Sequence, residues 1–538
     1  MLNISPKAFP PILSVLVLLA LYASIIYSNS EQLILGNISV YAIHALSLLE
    51  EGTLSFILTY EDVEERFLPN FHTFLYPLIL GLGFLVVNFI TGTEFHLGFE
   101  NINNLIKIIN SLLLFLTGWV FSSFFEVKDK ISRILIASMY LLLPFSIYGI
   151  FSVEPDQILT PLFLLLAFKF LQNKKFNFSI IFFTLAILTK ETMGLVGLSA
   201  LIFGEIFFSR NLSIKKGIYI WIASFSFAVF GYISLCLYLG FPVDFIFLAT
   251  QFHVETGGFK FKNLSLFARE FFVAVMLPFF AVIQLEKRNL ILSKTTFAVF
   301  LLITVFLINI LSGYINIRYL SALMPIILVL LLTDKSKSFN FRPLSFVFGI
   351  FFSLVILFFY GDPGKFIMDL DFSLNLFLNI QVWFFLTIAF FILYTTKRFS
   401  LDRFSVYVGF SACAFLYMGS QNYQINFQYG LPNANLALSK ISTHQALISD
   451  LPSSQLYFRD KVIFSYPPSE HFFSETSMPV NPDEGESTYR LENIVESKLL
   501  ETEFFVFTIE ESVTSKFFKE KENCKEIHKN YYHVYQCE

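Results

Sequence analysis

The chain has 538 residues, of which 55% are hydrophobic and only 14% charged, with 71 phenylalanines and a formal net charge of −4. So little charge cannot solvate the surface of a soluble protein of this length, and there is no outer basic patch of the kind that binds nucleic acid. No P-loop, GxGxxG fingerprint or CxxC zinc pattern occurs, so nothing supports nucleotide hydrolysis, dinucleotide binding or structural zinc. Apolar runs long enough for membrane-crossing helices alternate instead with short basic clusters.

In chain order, Lys7 and Pro10-Pro11 precede an apolar run over 11–28, read as a retained first helix because no small-residue cleavage site follows it. Residues 29–103 form a long outer loop carrying Glu61, Asp62, Glu64 and Glu65. Its apolar stretch 73–91 is long enough to cross a bilayer. A full crossing would put every later basic loop outside, so the positive-inside rule predicts a re-entrant or juxtamembrane segment. Helices over 104–124 and 134–152 flank Lys128, Lys130 and Arg133, and the outer turn Glu154-Pro155-Asp156 follows. Helices over 157–172 and 178–189 flank Lys174 and Lys175, with Lys190 and Glu191 back on the outer side. The pattern repeats with 192–208 and 218–238 around Arg210, Lys215 and Lys216, then 268–285 and 295–313 around Lys287 and Arg288. Arg318 and Tyr319 open a helix reaching 333, and helices over 343–360, 374–394 and 404–420 complete about thirteen spans. The predicted fold class is an α-helical polytopic membrane protein with a transmembrane domain over 1–420. It sits in the plasma (inner) membrane with its basic loops cytoplasmic.

Residues 421–538 are expected to form a small extracytoplasmic α/β domain. Strand-like runs cover 461–466, 504–509 and 531–535, and a helical pattern covers 489–500. Cys236 and Cys413 lie in apolar runs and read as inert. Cys524 and Cys537 lie in the tail and are disulfide candidates if it is outside the cell.

Seven charged residues share the predicted outer face: Glu61, Asp62, Glu154, Asp156, Lys190, Glu191 and Arg318. Carboxylates there can act as a general base or hold a divalent ion, and Lys or Arg can neutralise a departing phosphate. Sugar transfer from a lipid phosphate needs both kinds of group, with the lipid tail left in the bilayer. Each residue also has a plainer reading. Glu154 and Asp156 suit a helix N-terminus, the 61–65 cluster suits a solvated face, Arg318 can snorkel, and Glu191 can pair with Lys190. His72 and His253 lack a second ligand at metal spacing.

Five elements in order resemble the GT-C glycosyltransferases, nearest to the bacterial protein mannosyltransferase and aminoarabinose transferase group. They are the stretch from Tyr41 through Ala45, Leu48 and Leu49 to Gly52, Tyr76-Pro77-Leu78, the turn Glu154-Pro155-Asp156, Leu188-Thr189-Lys190, and Arg318-Tyr319-Leu320 with Pro325. The resemblance covers about 10–330 and implies a polyprenyl-phosphate sugar donor, with a lipid, glycan or protein acceptor. It implies catalytic roles for Asp156, Glu154, Asp62 and Glu61, and donor contacts from Lys190, Arg318, Tyr319 and Tyr41. A divalent ion, Mg or Mn, would take Asp156 as ligand. One position departs from the pattern: Asn37 stands where the family usually has an acid, and an amide cannot serve as a base. Either Glu31, Glu61 or Asp62 substitutes, or Glu154 and Asp156 carry the reaction, or the chain is not a transferase. A cell-envelope polysaccharide polymerase or ligase, a transporter or flippase, and an inactive scaffold are the alternatives.

Overall fold

The computed structural model describes most of 75–143, 155–239, 290–332, 343–360, 431–449 and 503–538, with shorter pieces at 41–46, 56–67, 405–409, 462–464 and 491–495. Two units emerge. One comprises Met1–Ser28, Asn110–Gly231 and Gly257–Gln421; the other comprises Asn29–Ile109, Tyr232–Thr256 and Asn422–Glu538.

The first unit is helical. It contains the C-terminal half of α2 (Phe99–Ser122), then α3 (Lys130–Leu141), α4 (Pro155–Gln172), α5 (Phe176–Thr189) and α6 (Glu191–Phe207). Most of α7 (Ile214–Leu239) follows, with α8 (Leu290–Leu311), α9 (Ile317–Leu332) and α10 (Pro343–Tyr360). Several of these helices expose apolar residues at helical spacing. Val299, Ile303 and Leu307 do so on α8, and Leu344, Val347 and Phe351 on α10. A helix in water would turn charge outward at these positions. Among the described residues, Asn104–Ser122 and Ile214–Tyr238 are individually long and apolar enough to cross a bilayer; five further apolar helices are shorter. α3 ends at Leu141, two residues before the Leu143-Pro144 step that is sterically biased out of the helical region; within the rest of the expected 134–152 span Ser146 is helical and 147–152 lie outside the described residues.

Phenylalanines set the pairing of the helices. Phe170 stacks on Phe178 and Phe182 with centroids 5.2 and 5.4 Å apart, Phe163 meets Phe182 at 6.4 Å, and Ser179 Oγ donates to the Ala167 carbonyl at 3.0 Å. Residues thus advance along α5 as they retreat along α4, so the two are antiparallel. Their turn places Lys174 in the left-handed region (φ 58), and the Lys175 amide caps the Phe170 carbonyl at 2.9 Å. α6 and α8 are antiparallel by the same logic, with Phe203 on Phe300 at 5.1 Å and Phe208 against Phe297 at 6.0 Å.

The second unit holds a hairpin, β1 (Phe56–Tyr60) and β2 (Val63–Phe67), the helix α1 (Leu75–Thr91), and the C-terminal residues. The C-terminal part comprises α11 (Leu431–Leu438), β3 (Ala446–Ser449), β4 (Val462–Phe464), β5 (Phe504–Ile509), α12 (Val513–Lys519), β6 (Cys524–Lys529) and β7 (Tyr532–Cys537). Its five strands run in the order β4-β3-β5-β7-β6; β3 is parallel to both neighbours, while β7 is antiparallel to β5 and β6. Ile448, Leu491, Phe504, Val506, Phe518, Tyr535 and Cys537 form the core between the sheet and α12. Ser512 caps α12 by accepting from the Ser515 amide at 3.0 Å. Cys524 and Cys537 face each other across β6 and β7 and are joined by a disulfide.

Candidate functional site

Lys190 sits at a one-residue break between α5 and α6. Its backbone is extended (φ −152, ψ 103), its amide still bonds back to the Ala186 carbonyl, and its carbonyl receives the Gly194 amide at 2.8 Å. Both helices therefore stay hydrogen-bonded up to the break. The chain folds so sharply here that a Cβ on Gly194 would lie 2.5 Å from the Ala186 carbonyl and from Ile187 Cα. Only glycine permits that approach. The lysine side chain is 2% exposed. A buried ammonium is costly unless another group compensates its charge, so its placement needs a reason.

The helix pairing brings other elements to the level of Lys190. Because α4 and α5 are antiparallel, the start of α4, with Asp156 in its first turn, lies at the same end of the bundle as the break. Because α6 and α8 are antiparallel, the last turn of α8 also lies there. The short connection 312–316 then starts α9, with Arg318 and Tyr319 in its first turn, at that same end. Asp156, Lys190, Glu191, Arg318 and Tyr319, spread over more than 160 positions, are thus gathered by topology. The N-termini of α4, α6 and α9 lie at that end of the bundle, as do the C-termini of α5 and α8. Helix N-termini present unsatisfied amides and partial positive charge, which favours a phosphate. The same dipoles favour Asp156 and Glu191 where they stand, so the carboxylates cost the fold little.

Basic residues sort to the other end. Lys130 and Arg133 open α3, Lys174 and Lys175 turn α4 into α5, and Arg210, Lys215 and Lys216 turn α6 into α7. Glu205 is fully buried at that end, accepting from Asn211 Nδ2 at 3.0 Å, and fixes the α6–α7 turn.

The remaining sequence candidates belong to the second unit. Tyr41 is fully buried and meets Tyr76 edge-to-face at 5.4 Å, so two of the five resembling motifs touch. Glu61 and Asp62 occupy the link between Tyr60 and Val63, which pair as the last residues of β1 and β2; both acids lie outside the described residues, as do Glu154 and Asn37. β1 lies alongside β4, the edge strand of the C-terminal sheet. Lys107 was not singled out from the sequence, yet it is 4% exposed in α2. The signal was a lysine inside the apolar run Leu105–Ile109. Among the described residues no three His, Cys, Asp or Glu side chains gather as a metal site.

No model of a known protein family matches the sequence, and no curated protein does. Crystal structures do match. ArnT from Cupriavidus metallidurans, in its apo state, superposes with a TM-score of 0.57 over 99% of this chain and 98% of that one. This chain has the ArnT fold. The structure of ArnT bound to undecaprenyl phosphate matches over the same extents with a TM-score of 0.54. Identity to ArnT is 15% in both cases, so the likeness establishes the fold. It is a mostly helical, GT-C-like fold, the one the motif resemblance led to expect.

Proposed function

We propose that the protein is a membrane glycosyltransferase that takes a sugar from a polyprenyl-phosphate donor at the outer face of the plasma membrane. One observation carries the reading. On a fold shared with a protein seen bound to undecaprenyl phosphate, Asp156, Lys190 and Arg318 belong to helix ends gathered on one side of the bundle, opposite the basic end. With the basic end cytoplasmic, the gathered end faces outward. About thirteen helices would cross the bilayer. Residues 421–538 would then lie outside, where the Cys524–Cys537 disulfide is at home.

The chemistry follows from residue types. Asp156 takes the proton of an acceptor hydroxyl, whose oxygen bonds to the anomeric carbon as the bond from that carbon to the phosphate oxygen breaks. The lipid phosphate leaves with an extra negative charge, which Lys190, Arg318 and the helix N-termini neutralise. Tyr319 and Tyr41 are further candidates for contacts to the donor. Glu154, Glu61 and Asp62 are the further candidate carboxylates: either Glu61, Asp62 or Glu31 substitutes for the acid missing at Asn37, or Glu154 and Asp156 carry the reaction without it. Asp156 is the candidate ligand for a divalent ion, Mg or Mn, and sensitivity to chelator would establish one. The acceptor is a lipid, glycan or protein, which the C-terminal residues would help select.

Titrating undecaprenyl phosphate onto the purified protein tests the phosphate contacts. Lys190→Met and Arg318→Gln are each expected to weaken binding at least tenfold, about 1.4 kcal/mol or more. Wild-type affinity in both variants removes these two residues from the site.

A further inference from the structure

A second phosphate-recognising site can be argued at the opposite end of the first unit. Lys169, in the last turn of α4, reaches the end of α2, where its Nζ donates to Ser123 Oγ at 2.7 Å. Arg133, from the first turns of α3, lies over the Trp119 ring, its Cζ 5.3 Å from the centroid. Trp119 and Ser123 are four residues apart and so occupy one face of the end of α2. Two cations from two different helices are thereby held a turn apart on a third, within electrostatic reach of each other. Phe124 stacked on Phe168 at 5.9 Å locks the ends of α2 and α4 together beneath them. Among the described residues neither cation has a carboxylate partner; Glu126 and Asp129, in the connection between α2 and α3, lie outside the described residues. Both are only half-buried, and each keeps N–H donors beyond the contacts named.

A single cation at a helix C-terminus is explained by the dipole. Two like charges brought together are not, because they repel and the carbonyl end of α2 offers only partial charge in return. An anion seated between them offsets that repulsion. We propose that Arg133 and Lys169 bind the phosphate of an anionic phospholipid in the leaflet opposite the Lys190 site. A lipid is favoured over a free ion by the surroundings. Trp119 is a residue type of the membrane interface, and Ile134, beside Arg133, exposes its side chain as an acyl-chain contact would require. Lys130, one turn before Arg133, extends the same positive surface. α5 separates the two levels by 14 residues, about 21 Å of helix, so this site is distinct from the gathered end. The inference needs the chain to lie in a membrane; it does not need it to transfer a sugar.

Native mass spectrometry of the full-length protein in mild detergent tests it, with phosphatidylglycerol, phosphatidylcholine or inorganic phosphate added. Phosphatidylglycerol is expected to be retained in preference to phosphatidylcholine. Lys169→Gln should weaken that retention about fivefold, and adding Arg133→Gln should weaken it roughly twentyfold or more. Lys215→Gln with Lys216→Gln, on another turn, should leave it within about twofold by the same scale. Lys169→Gln alone decides if the double variant does not fold, since it removes only a hydrogen bond to a hydroxyl. Equal retention of the two lipids, or wild-type retention in Lys169→Gln, overturns the site. Inorganic phosphate retained as well as phosphatidylglycerol overturns the lipid as its ligand.

Discussion

Lys190 separates structural from functional explanations at the scale of one residue. An ammonium buried for stability would leave its partners unpaired when replaced by an apolar side chain, at a loss of about 3–5 kcal/mol, whereas one held for a ligand is replaceable at little loss to the fold. Lys190→Met is therefore expected to keep the melting temperature within a few degrees of wild type, about 1 kcal/mol, while losing transfer activity. Unfolding of the variant would make the lysine a structural residue. His528 provides a residue-scale test in the C-terminal part. Burial holds its imidazole below the ordinary value of 6.5, a hydrogen bond that the ring donates to Asn530 opposes this, and the electrostatic effects of Lys440 and His533 add to the lowering. The unfolded chain thus takes up a proton more readily than the folded one. The stability tied to His528 is present above pH 6.5 and is lost as pH falls toward its lowered folded-state pKa. Melting temperatures recorded from pH 7.5 to about 5 should fall more steeply for wild type than for His528→Gln. Parallel curves would show that His528 contributes nothing to the slope.

At the scale of elements, the α5–α6 break depends on Gly194. Gly194→Ala forces a methyl against the Ala186 backbone and is expected to cost about 1–3 kcal/mol, read as a lower melting temperature. Gly231→Ala meets only a Leu188 methyl, at 3.3 Å, and should cost less. The break was legible because Lys190 interrupts two apolar runs too short to cross alone. The pattern also led directly to 343–360 and to the strand Phe504–Ile509, whose apolar residues are nearly continuous. Other elements were hidden. The β1–β2 hairpin carries Glu64, Glu65 and Arg66, so it reads as a solvated acidic loop; only pairing with a second strand shows it as sheet. β6 reads Cys-Lys-Glu-Ile-His-Lys and lies at the sheet edge, where polar residues blunt the alternation that marks a strand. Lys107 was hidden for the opposite reason: one charge in a long apolar run barely alters the pattern, yet burial makes it notable.

At the scale of the molecule, the fold was legible from the order of five weak motifs, while the gathering of Asp156, Lys190 and Arg318 required knowing which helices run antiparallel. Phenylalanine contacts across helices supply that information, and in a chain this rich in phenylalanine no spacing along the sequence singles them out. The disulfide ties the last residues of β7 to β6 across a separation of 13 residues. Cys524→Ser with Cys537→Ser should destabilise the C-terminal part by about 2–3 kcal/mol, seen as an earlier unfolding step that reductant reproduces in the wild type. An unchanged melting profile would show that the bond contributes nothing. The central claim is transfer from a lipid phosphate. It is tested most directly by giving the purified protein in membranes a panel of radiolabelled polyprenyl-phosphate sugars, beside Asp156→Asn. The account predicts label leaving one donor for an acceptor or for water, and loss of that turnover in the variant by a factor of about 100 or more. Equal turnover by Asp156→Asn and wild type would contradict it.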